Sequence, residues 1–261
     1  MEMKNVKAIT IPEGQVKKIT DSNGNVIWGN PSDFPYRRLE YIHFNGAEYV
    51  QTDFYPGTYN KNYQFEFTVD NKTDSMSLGC YYNVSTADAL RRWYILNINS
   101  SGIRCGVGNQ WSGYTAANSW STTDVLKVNA SYRRDNSTPK LFWFLKNMTT
   151  NTDINSANPV SATTTGNIQT SVKLRIGCRT STTSGGTENQ EYFKGKMFWF
   201  SKRNESSSGT LERNLIPCQR KSDSVCGFYD TVSNSFWPMV GTTITDAAAG
   251  PVVDEYWDLT A

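Results

Sequence analysis

The sequence has little of what most metal and catalytic sites require. It contains one histidine, His43, and five cysteines in 261 residues, and no Cys-x-x-Cys pair, so the ligand spacing of zinc sites is missing. Neither a Gly-x-x-x-x-Gly-Lys-Ser/Thr phosphate loop nor a Gly-x-Gly-x-x-Gly nucleotide fingerprint occurs. We therefore expect no metal and no cofactor.

Long apolar runs and one-sided charge are also missing. No run approaches the ~18 apolar residues of a membrane span, and residues 1–5 do not lead into the apolar stretch of a secretory signal. The 26 basic and 24 acidic residues leave a formal charge of +2, without the basic clusters typical of nucleic-acid binding. These absences predict synthesis in a cytosol, with neither membrane nor nucleic acid as partner. In a reducing compartment we expect buried thiols, although a Cys218–Cys226 bridge across a hairpin stays open.

What is present favours β-structure. Aromatic residues make up 13% of the chain, and aromatic side chains suit half-buried strands. Residues 63–69, 126–132 and 172–176 alternate apolar with polar side chains, as strands with one buried face do. The continuous apolar run 197–200 predicts a strand covered on both faces. About a dozen such segments, separated by polar loops at about 108–124, 147–171, 179–191 and 201–212, predict an all-β sandwich.

The chain divides into four parts. Residues 1–30 predict a small N-terminal β-hairpin arm, because Asn23-Gly24 between apolar runs is a strong hairpin signal. Three short strands are too few to be stable alone, so the arm is expected to dock on the body, on a neighbouring copy or on another protein. Residues 31–35 form a linker, 36–240 the sandwich body and 241–261 a C-terminal tail. The residues expected to attach the arm are the following apolar side chains: Ile9, Ile11, Val16, Ile19, Val26 and Trp28.

Catalytic residues are not evident. A glycosidase needs two carboxylates on either side of the scissile bond, and the nearest pair, Glu188 and Glu191, lies in a Ser/Thr/Gly-rich segment that favours a solvated loop. His43 lies within an apolar strand and has no accompanying nucleophile motif. We therefore expect a protein that is not an enzyme.

One loop has the composition of a sugar-binding site. Asn109, Trp111, Tyr114 and Trp120 place three large aromatic rings among amides and hydroxyls, and an exposed aromatic cluster marks an interaction site. We interpret these four residues as a candidate glycan- or partner-binding site. The alternative is that the rings fold back on the sandwich or pack against a neighbouring subunit, since Trp is mostly buried in proteins.

Two segments about 180 residues apart carry a family resemblance. Residues 38–54 (RLEYIHFNGAEYVQTDF) and residues 214–237 (NLIPCQR, then GFYD and NSFW) resemble the opening and closing strands of concanavalin A-like (laminin G-like) jelly-roll domains in bacteriophage structural proteins. The resemblance implies a jelly-roll β-sandwich behind an attachment arm. It also implies a virion protein of head-fibre or tail-appendage type, made in the host bacterial cytoplasm.

The resemblance also implies partners. Other virion proteins would hold the arm, the chain would form a homo-oligomer, of which trimers are the usual form, and a cell-surface glycan would be the adhesive target. Two alternatives stay open: a soluble or surface glycan-binding module, and a cryptic glycoside hydrolase.

Overall fold

The computed structural model describes part of the chain. The described residues are 18–20, 26–29, 35–54, 63–70, 76–78, 80–83, 92–99, 102–108, 110–111, 120–121, 123–135, 138–154, 160–163, 173–183, 186–190, 192–204 and 209–253. Side chains are described mainly in 35–54, 120–131, 144–154, 173–178, 192–204 and 209–253. All structural statements below concern these residues.

The regular elements of the described residues are almost all strands. In chain order the 22 strands are β1 (Lys18–Thr20), β2 (Val26–Gly29), β3 (Tyr36–Arg38), β4 (Ile42–Asn45), β5 (Tyr49–Gln51), β6 (Tyr63–Asp70), β7 (Met76–Leu78), β8 (Cys80–Asn83), β9 (Arg92–Asn99), β10 (Gly102–Gly108), β11 (Gln110–Trp111), β12 (Val125–Asp135), β13 (Thr138–Asn147), β14 (Thr152–Asp153), β15 (Val160–Thr163), β16 (Arg175–Ile176), β17 (Arg179–Thr183), β18 (Gly186–Gln190), β19 (Lys194–Asn204), β20 (Leu211–Arg220), β21 (Cys226–Asp230) and β22 (Ser235–Val240). The helical element in the described residues is one 3-10 turn, Asp246–Ala248. The all-β prediction is confirmed, although the strands are shorter and more numerous than the sequence indicates.

The strands form curled, mainly antiparallel sheets. A 13-stranded sheet runs β14-β13-β12-β6-β19-β20-β21-β22-β5-β16, with β15, β3 and β4 pairing off this path. A seven-stranded sheet runs β11-β10-β9-β8-β17-β18, with β7 on β9, and β1 pairs with β2 separately. The two larger sheets contact each other where β10 meets β13, β11 meets β15 and β16 meets β8. This arrangement is consistent with a β-sandwich.

Strands from the two ends of the chain lie side by side in the large sheet. Strand β3 pairs with β20, with Arg38 opposite Cys218, and β5 pairs with β22, with Val50 opposite Met239. Strand β4, which lies between β3 and β5 in the chain, pairs with β19. The segments that carry the family resemblance are therefore hydrogen-bonded neighbours.

The core lies beneath this part of the sheet. Its largest fully buried side chains include Phe44, Phe193, Phe200 and Phe228, and the Phe44 and Phe193 rings meet edge to face at 5.3 Å. Aromatic side chains of this size supply most of the apolar area that a β core buries. The alternation predicted for 126–132 is confirmed at its start, where Leu126 and Val128 are buried and Lys127 and Asn129 are half-buried. It is wrong at Ser131, which was expected on the polar face and is buried.

The three cysteines whose side chains are described are buried and form no disulfide. Cys178, Cys218 and Cys226 are free and buried, and strand register places Cys218 opposite Gly227 rather than opposite Cys226. Burial raises the pKa of Cys226 to about 12, so this thiol stays protonated near neutral pH. The bridge left open between Cys218 and Cys226 is not formed.

Residues 241–253 lie against the body. Ala248 is fully buried and belongs to the core, and the Cys226 backbone N–H donates to the Ile244 carbonyl at 2.7 Å. Leu39 and Val252 form an isolated antiparallel bridge. The first half of the predicted tail thus packs on the strands that open the body. No helix in the described part of the chain is long and apolar enough to cross a membrane.

Candidate binding site

A groove crosses the large sheet where the first strands meet the last. It has a volume of about 490 Å³, which lies within the range of about 300–1,000 Å³ usual for small-molecule sites. Nine residues line it: Arg38, Leu39, Glu40, Lys127, Phe198, Trp199, Ile216, Pro217 and Val253. Leu39 and Pro217 are buried and Glu40 is exposed. The groove therefore has an apolar floor, an aromatic wall and a charged rim.

A β-bulge in β19 produces the aromatic wall. The pairing of β19 with β6 shifts between Met197 and Trp199, leaving Phe198 as an extra residue. Met197 and Phe200 are buried, whereas Phe198 and Trp199 are both half-buried. A regular strand would point consecutive side chains to opposite faces, and a bulge re-aims one of them. Two consecutive aromatic rings consequently line one face of the sheet.

A hydrogen-bond network holds the Trp199 ring in place. Its indole N–H donates to the Asn214 side-chain oxygen at 2.7 Å, and the Asn214 amide donates in turn to the Thr231 hydroxyl at 2.9 Å. The backbone N–H of Asn214 donates to the Asp230 carboxylate at 3.0 Å. Fixing a large ring before a ligand arrives reduces the entropy that binding costs. Trp199 is thus a positioned aromatic surface.

Lysine ammonium groups lie beside the Trp199 ring and beside a second aromatic pair, Tyr41 with Phe198. The Lys127 ammonium is 5.8 Å from the Trp199 ring centroid, and the Lys196 ammonium is 4.6 Å from the Tyr41 ring centroid. Tyr41 meets Phe198 edge to face at 5.4 Å, so the second cluster adjoins the groove. Cations within about 6 Å of a ring face are attracted to it. The site combines stacking surfaces with cations, and Glu40 is the one carboxylate among the described residues that line it.

Two fully buried carboxylates near the strand ends serve structure. Glu48 accepts hydrogen bonds from the backbone N–H groups of Asn45 at 2.7 Å and Thr243 at 3.2 Å. Asp230 accepts from the Val232 backbone N–H at 3.1 Å and the Ser233 hydroxyl at 2.6 Å. Buried carboxylates need such donors to offset their lost hydration. Each one therefore fixes a turn, and neither lines the groove.

A third carboxylate caps the turn before β12. The backbone N–H of Ser121 donates to Asp124 at 2.8 Å, and the Asn147 amide donates at 2.7 Å. These hydrogen bonds to the charged form, the backbone one first, lower the pKa of Asp124 against the opposing effect of burial. Asp124 thereby ties the start of β12 to the end of β13.

The glycan site predicted from the sequence is only partly described. Trp120 is partly buried and packs against the core. Trp111 lies in β11, paired with Gly106 of β10, and its side chain is outside the described residues, as are Asn109 and Tyr114 altogether. The packing of Trp120 is what the alternative of inward-folded rings predicts for that residue. The role of the other three stays a prediction.

The predicted arm residues are described in part as well. In β1 and β2, Ile19 lies opposite Trp28 and Thr20 opposite Val26. Ile9, Ile11 and Val16 lie outside the described residues. Attachment through these side chains stays a prediction.

The sequence alone did not single out the groove. Phe198 and Trp199 lie in the run 197–200 that predicts a strand covered on both faces, and for these two residues that prediction is wrong because the bulge turns them to an open face. Arg38 ends β3 and Glu40 follows it, whereas Lys127 lies in β12, far along the chain. The one available signal was the run of three aromatic residues at 198–200, and it does not reveal a bulge.

Comparison with models of known protein families and with curated proteins finds no match. Within the described residues no group of three or more His, Cys, Asp or Glu side chains is arranged to hold a metal ion. The fold and the groove are therefore the features that bear on function.

Proposed function

We propose that this chain is a non-enzymatic structural protein of a bacteriophage particle, a head fibre or tail appendage that displays a concanavalin A-like jelly roll. The observation that carries the proposal is the pairing of the two resemblance-bearing segments, β3 with β20 and β5 with β22. Such a jelly roll needs its opening and closing strands to meet in one sheet. The sandwich-like contact between the two large sheets gives further support.

The proposed attachment device is the N-terminal arm. Strands β1 and β2 pair only with each other among the described strands, and an isolated two-stranded sheet is marginal in water. The arm would therefore gain stability by docking on another virion protein or on a neighbouring copy. Closed symmetry, with a trimer as the proposed form, would supply such neighbours.

The test is immunogold electron microscopy of purified particles, with an antibody raised against residues 36–240. Gold at one defined place on the particle is the expected result, and its position distinguishes a head fibre from a tail appendage. Unlabelled particles together with a labelled lysate supernatant would overturn the proposal.

A second experiment addresses the arm. Trp28→Asp is expected to abolish incorporation into particles while the purified variant keeps the wild-type circular dichroism spectrum. Trp199→Ala, in the groove, serves as the control and is expected to incorporate normally. Normal incorporation of Trp28→Asp would exclude the arm as the anchor.

The groove favours one alternative, a glycan-binding module. Sugar rings stack on aromatic faces, and the restrained Trp199 ring with Lys127 and Arg38 beside it offers stacking together with hydrogen-bond donors. Adhesion to a host-surface glycan fits either a virion appendage or a soluble protein, so particle location separates the two.

Adhesion can be assigned to a site with two variants. Trp199→Ala is expected to weaken binding to host cell-surface polysaccharide about two- to tenfold, since an aromatic contact contributes about 0.5–1.5 kcal/mol beyond its buried area. Trp111→Ala tests the loop predicted from the sequence. Loss of binding in Trp111→Ala alone would move the site from the groove to that loop.

A glycoside hydrolase is the less favoured alternative. Hydrolysis needs two carboxylates about 5–10 Å apart across the bond, and the groove contributes Glu40 from its described lining. Release of reducing sugar from host polysaccharide by the wild type, lost in Glu40→Gln, would establish this alternative.

A further inference from the structure

The turn that joins β4 to β5 contains an exposed Asn-Gly pair. Asn45 ends β4 and is exposed, and Gly46 follows it with a φ of +94°. A Cβ atom at Gly46 would meet nothing nearer than the exposed Lys194 side chain, at 3.7 Å. Neither the Asn45 side chain nor the Gly46 backbone N–H forms a hydrogen bond with another residue that the structure describes. No described contact therefore keeps the Gly46 nitrogen away from the Asn45 amide.

Asparagine followed by glycine is a chemically unstable pair. Asparagine is a thermolabile residue, because its side-chain carbonyl carbon, Cγ, can close a five-membered ring with the backbone nitrogen of the next residue. Glycine has no Cβ, so it hinders that approach least and reaches the required backbone conformation most easily. An exposed Asn-Gly pair in a turn therefore favours ring closure in the folded chain.

We propose that Asn45 and Gly46 form a self-modification site, at which Asn45 loses ammonia and becomes a mixture of aspartate and isoaspartate. First, a bond forms between the Gly46 nitrogen and Asn45 Cγ, the Cγ–Nδ2 bond breaks, and Nδ2 leaves as ammonia with the proton of the Gly46 N–H. Solvent water then opens the cyclic imide. Breaking the bond from the Gly46 nitrogen to Cγ gives aspartate, and breaking the bond to the main-chain carbonyl carbon of Asn45 gives isoaspartate. Water is the only co-reactant.

Both products change the surroundings of Glu48. This carboxylate is fully buried and accepts hydrogen bonds from the backbone N–H groups of Asn45 at 2.7 Å and Thr243 at 3.2 Å. Either product adds a negative charge to the residue whose N–H binds the carboxylate, and like charges repel. Isoaspartate also adds one methylene to the main chain there. The modification is therefore expected to loosen residues 241–253 from the first strands, an effect that goes beyond the proposed function and does not depend on it.

Peptide mapping of the native full-length chain, after incubation in mildly alkaline buffer, tests the proposal. The peptide that contains Asn45 is expected to gain one mass unit and to accept a labelled methyl group from an isoaspartyl methyltransferase. Asn234 is the internal control, since it is also exposed but its side-chain oxygen accepts from the Tyr229 hydroxyl at 3.3 Å and Ser235 follows it. Conversion is expected to be about tenfold faster at Asn45 than at Asn234, because serine has the Cβ that glycine lacks.

Two variants assign the reaction to this pair. Gly46→Ala is expected to slow conversion of Asn45 about tenfold. Asn45→Gln is expected to abolish it, because the longer side chain would have to close a six-membered ring, while the backbone N–H that binds Glu48 is kept. An unmodified Asn45 peptide in the native chain, under conditions in which the urea-unfolded chain converts, would overturn the proposal. Equal conversion at Asn45 and Asn234 would overturn it too.

Hydrogen–deuterium exchange measures the effect on residues 241–253. Peptides from this segment are expected to exchange about tenfold faster in chains that contain isoaspartate than in fresh wild type. Asn45→Asp carries the added charge without the added methylene and is expected to lie between the two. Unchanged exchange in the modified chains would overturn the predicted loosening.

Discussion

Gly177 offers the sharpest test of how the core is packed. Its φ is +94°, and a Cβ atom there would lie 2.5 Å from Phe44 Cε1 and 3.2 Å from the Glu48 carbonyl oxygen. The Phe44 ring is fully buried against Phe193, so it cannot retreat. Gly177→Ala therefore combines backbone strain with a steric clash in a closed core.

Gly46 is a matched control for the strain alone. Its φ is also +94°, but a Cβ atom there meets nothing nearer than the flexible Lys194 side chain, at 3.7 Å. A left-handed backbone conformation costs an L-residue about 1–2 kcal/mol. Replacing glycine also lowers the conformational entropy of the unfolded chain, which stabilises the folded state by about 0.4–1 kcal/mol. Gly46→Ala is thus expected to lower the free energy of unfolding by about 1 kcal/mol.

Overpacking adds a further cost of about 1–3 kcal/mol in Gly177→Ala. Urea unfolding followed by tryptophan fluorescence measures the difference between the two variants. At a slope of about 3 kcal/mol/M, the midpoint of Gly177→Ala should fall about 0.3–1 M below that of Gly46→Ala. Adding Phe44→Leu to Gly177→Ala should cost less than Phe44→Leu costs by itself, because the two changes share one contact. Equal midpoints for the two alanine variants would refute the ring contact as the cause.

Three other outcomes are expected. The pKa of Asp124 is lowered in the folded chain. The stability that its ionised carboxylate adds is therefore fully present above the unfolded pKa of about 3.9 and is lost as pH falls through the folded pKa. Between pH 7 and pH 2, the free energy of unfolding of Asp124→Asn should fall less than that of wild type. Because Cys218 and Cys226 are buried, iodoacetamide at pH 8 should label them only after the chain is unfolded. A peptide map made without reductant should contain no peptide that links them. Rapid labelling of either cysteine in the native protein would contradict their burial. Buried Lys202 forms an ion pair with Glu212, which is about one-third exposed. Glu212→Ala is therefore expected to lower the stability measured by thermal unfolding by about 1–3 kcal/mol. The double variant Lys202→Met with Glu212→Leu should recover most of that loss, because it removes the buried charge together with its partner.

Local sequence patterns predicted the parts of the fold that depend on local physics. Alternation identifies a half-buried strand wherever the pleat is regular, as at Leu126 and Val128. The segment 179–191 was predicted as a loop, and that is wrong, because β17 and β18 form a hairpin there. Its Thr residues suit strands through their β-branching, but with no apolar face the segment lacks the periodicity on which the prediction depends.

The groove required information that one-dimensional patterns do not contain. Phe198 and Trp199 share a face because the pairing of β19 with β6 shifts by one residue at the bulge. Lys127 and Arg38 meet them only after distant strands assemble. The two segments that carry the family resemblance contribute five of the described lining residues (Arg38, Leu39, Glu40, Ile216 and Pro217), but the resemblance assigned none of them a role in binding.

The pairing of early strands with late ones has a consequence for synthesis. Thr242 hydrogen-bonds Glu48 across 194 positions of the chain, and β3 and β5 find their partners β20 and β22 only after the intervening chain has been made. At about 5–20 residues per second, a ribosome leaves β3 without β20, and β5 without β22, for about 10–40 s. During that interval their open edges can pair with another nascent chain. Chaperone capture, or assembly beside sister copies on one polysome, would therefore decide the folding yield as strongly as the stability of the finished sheet does.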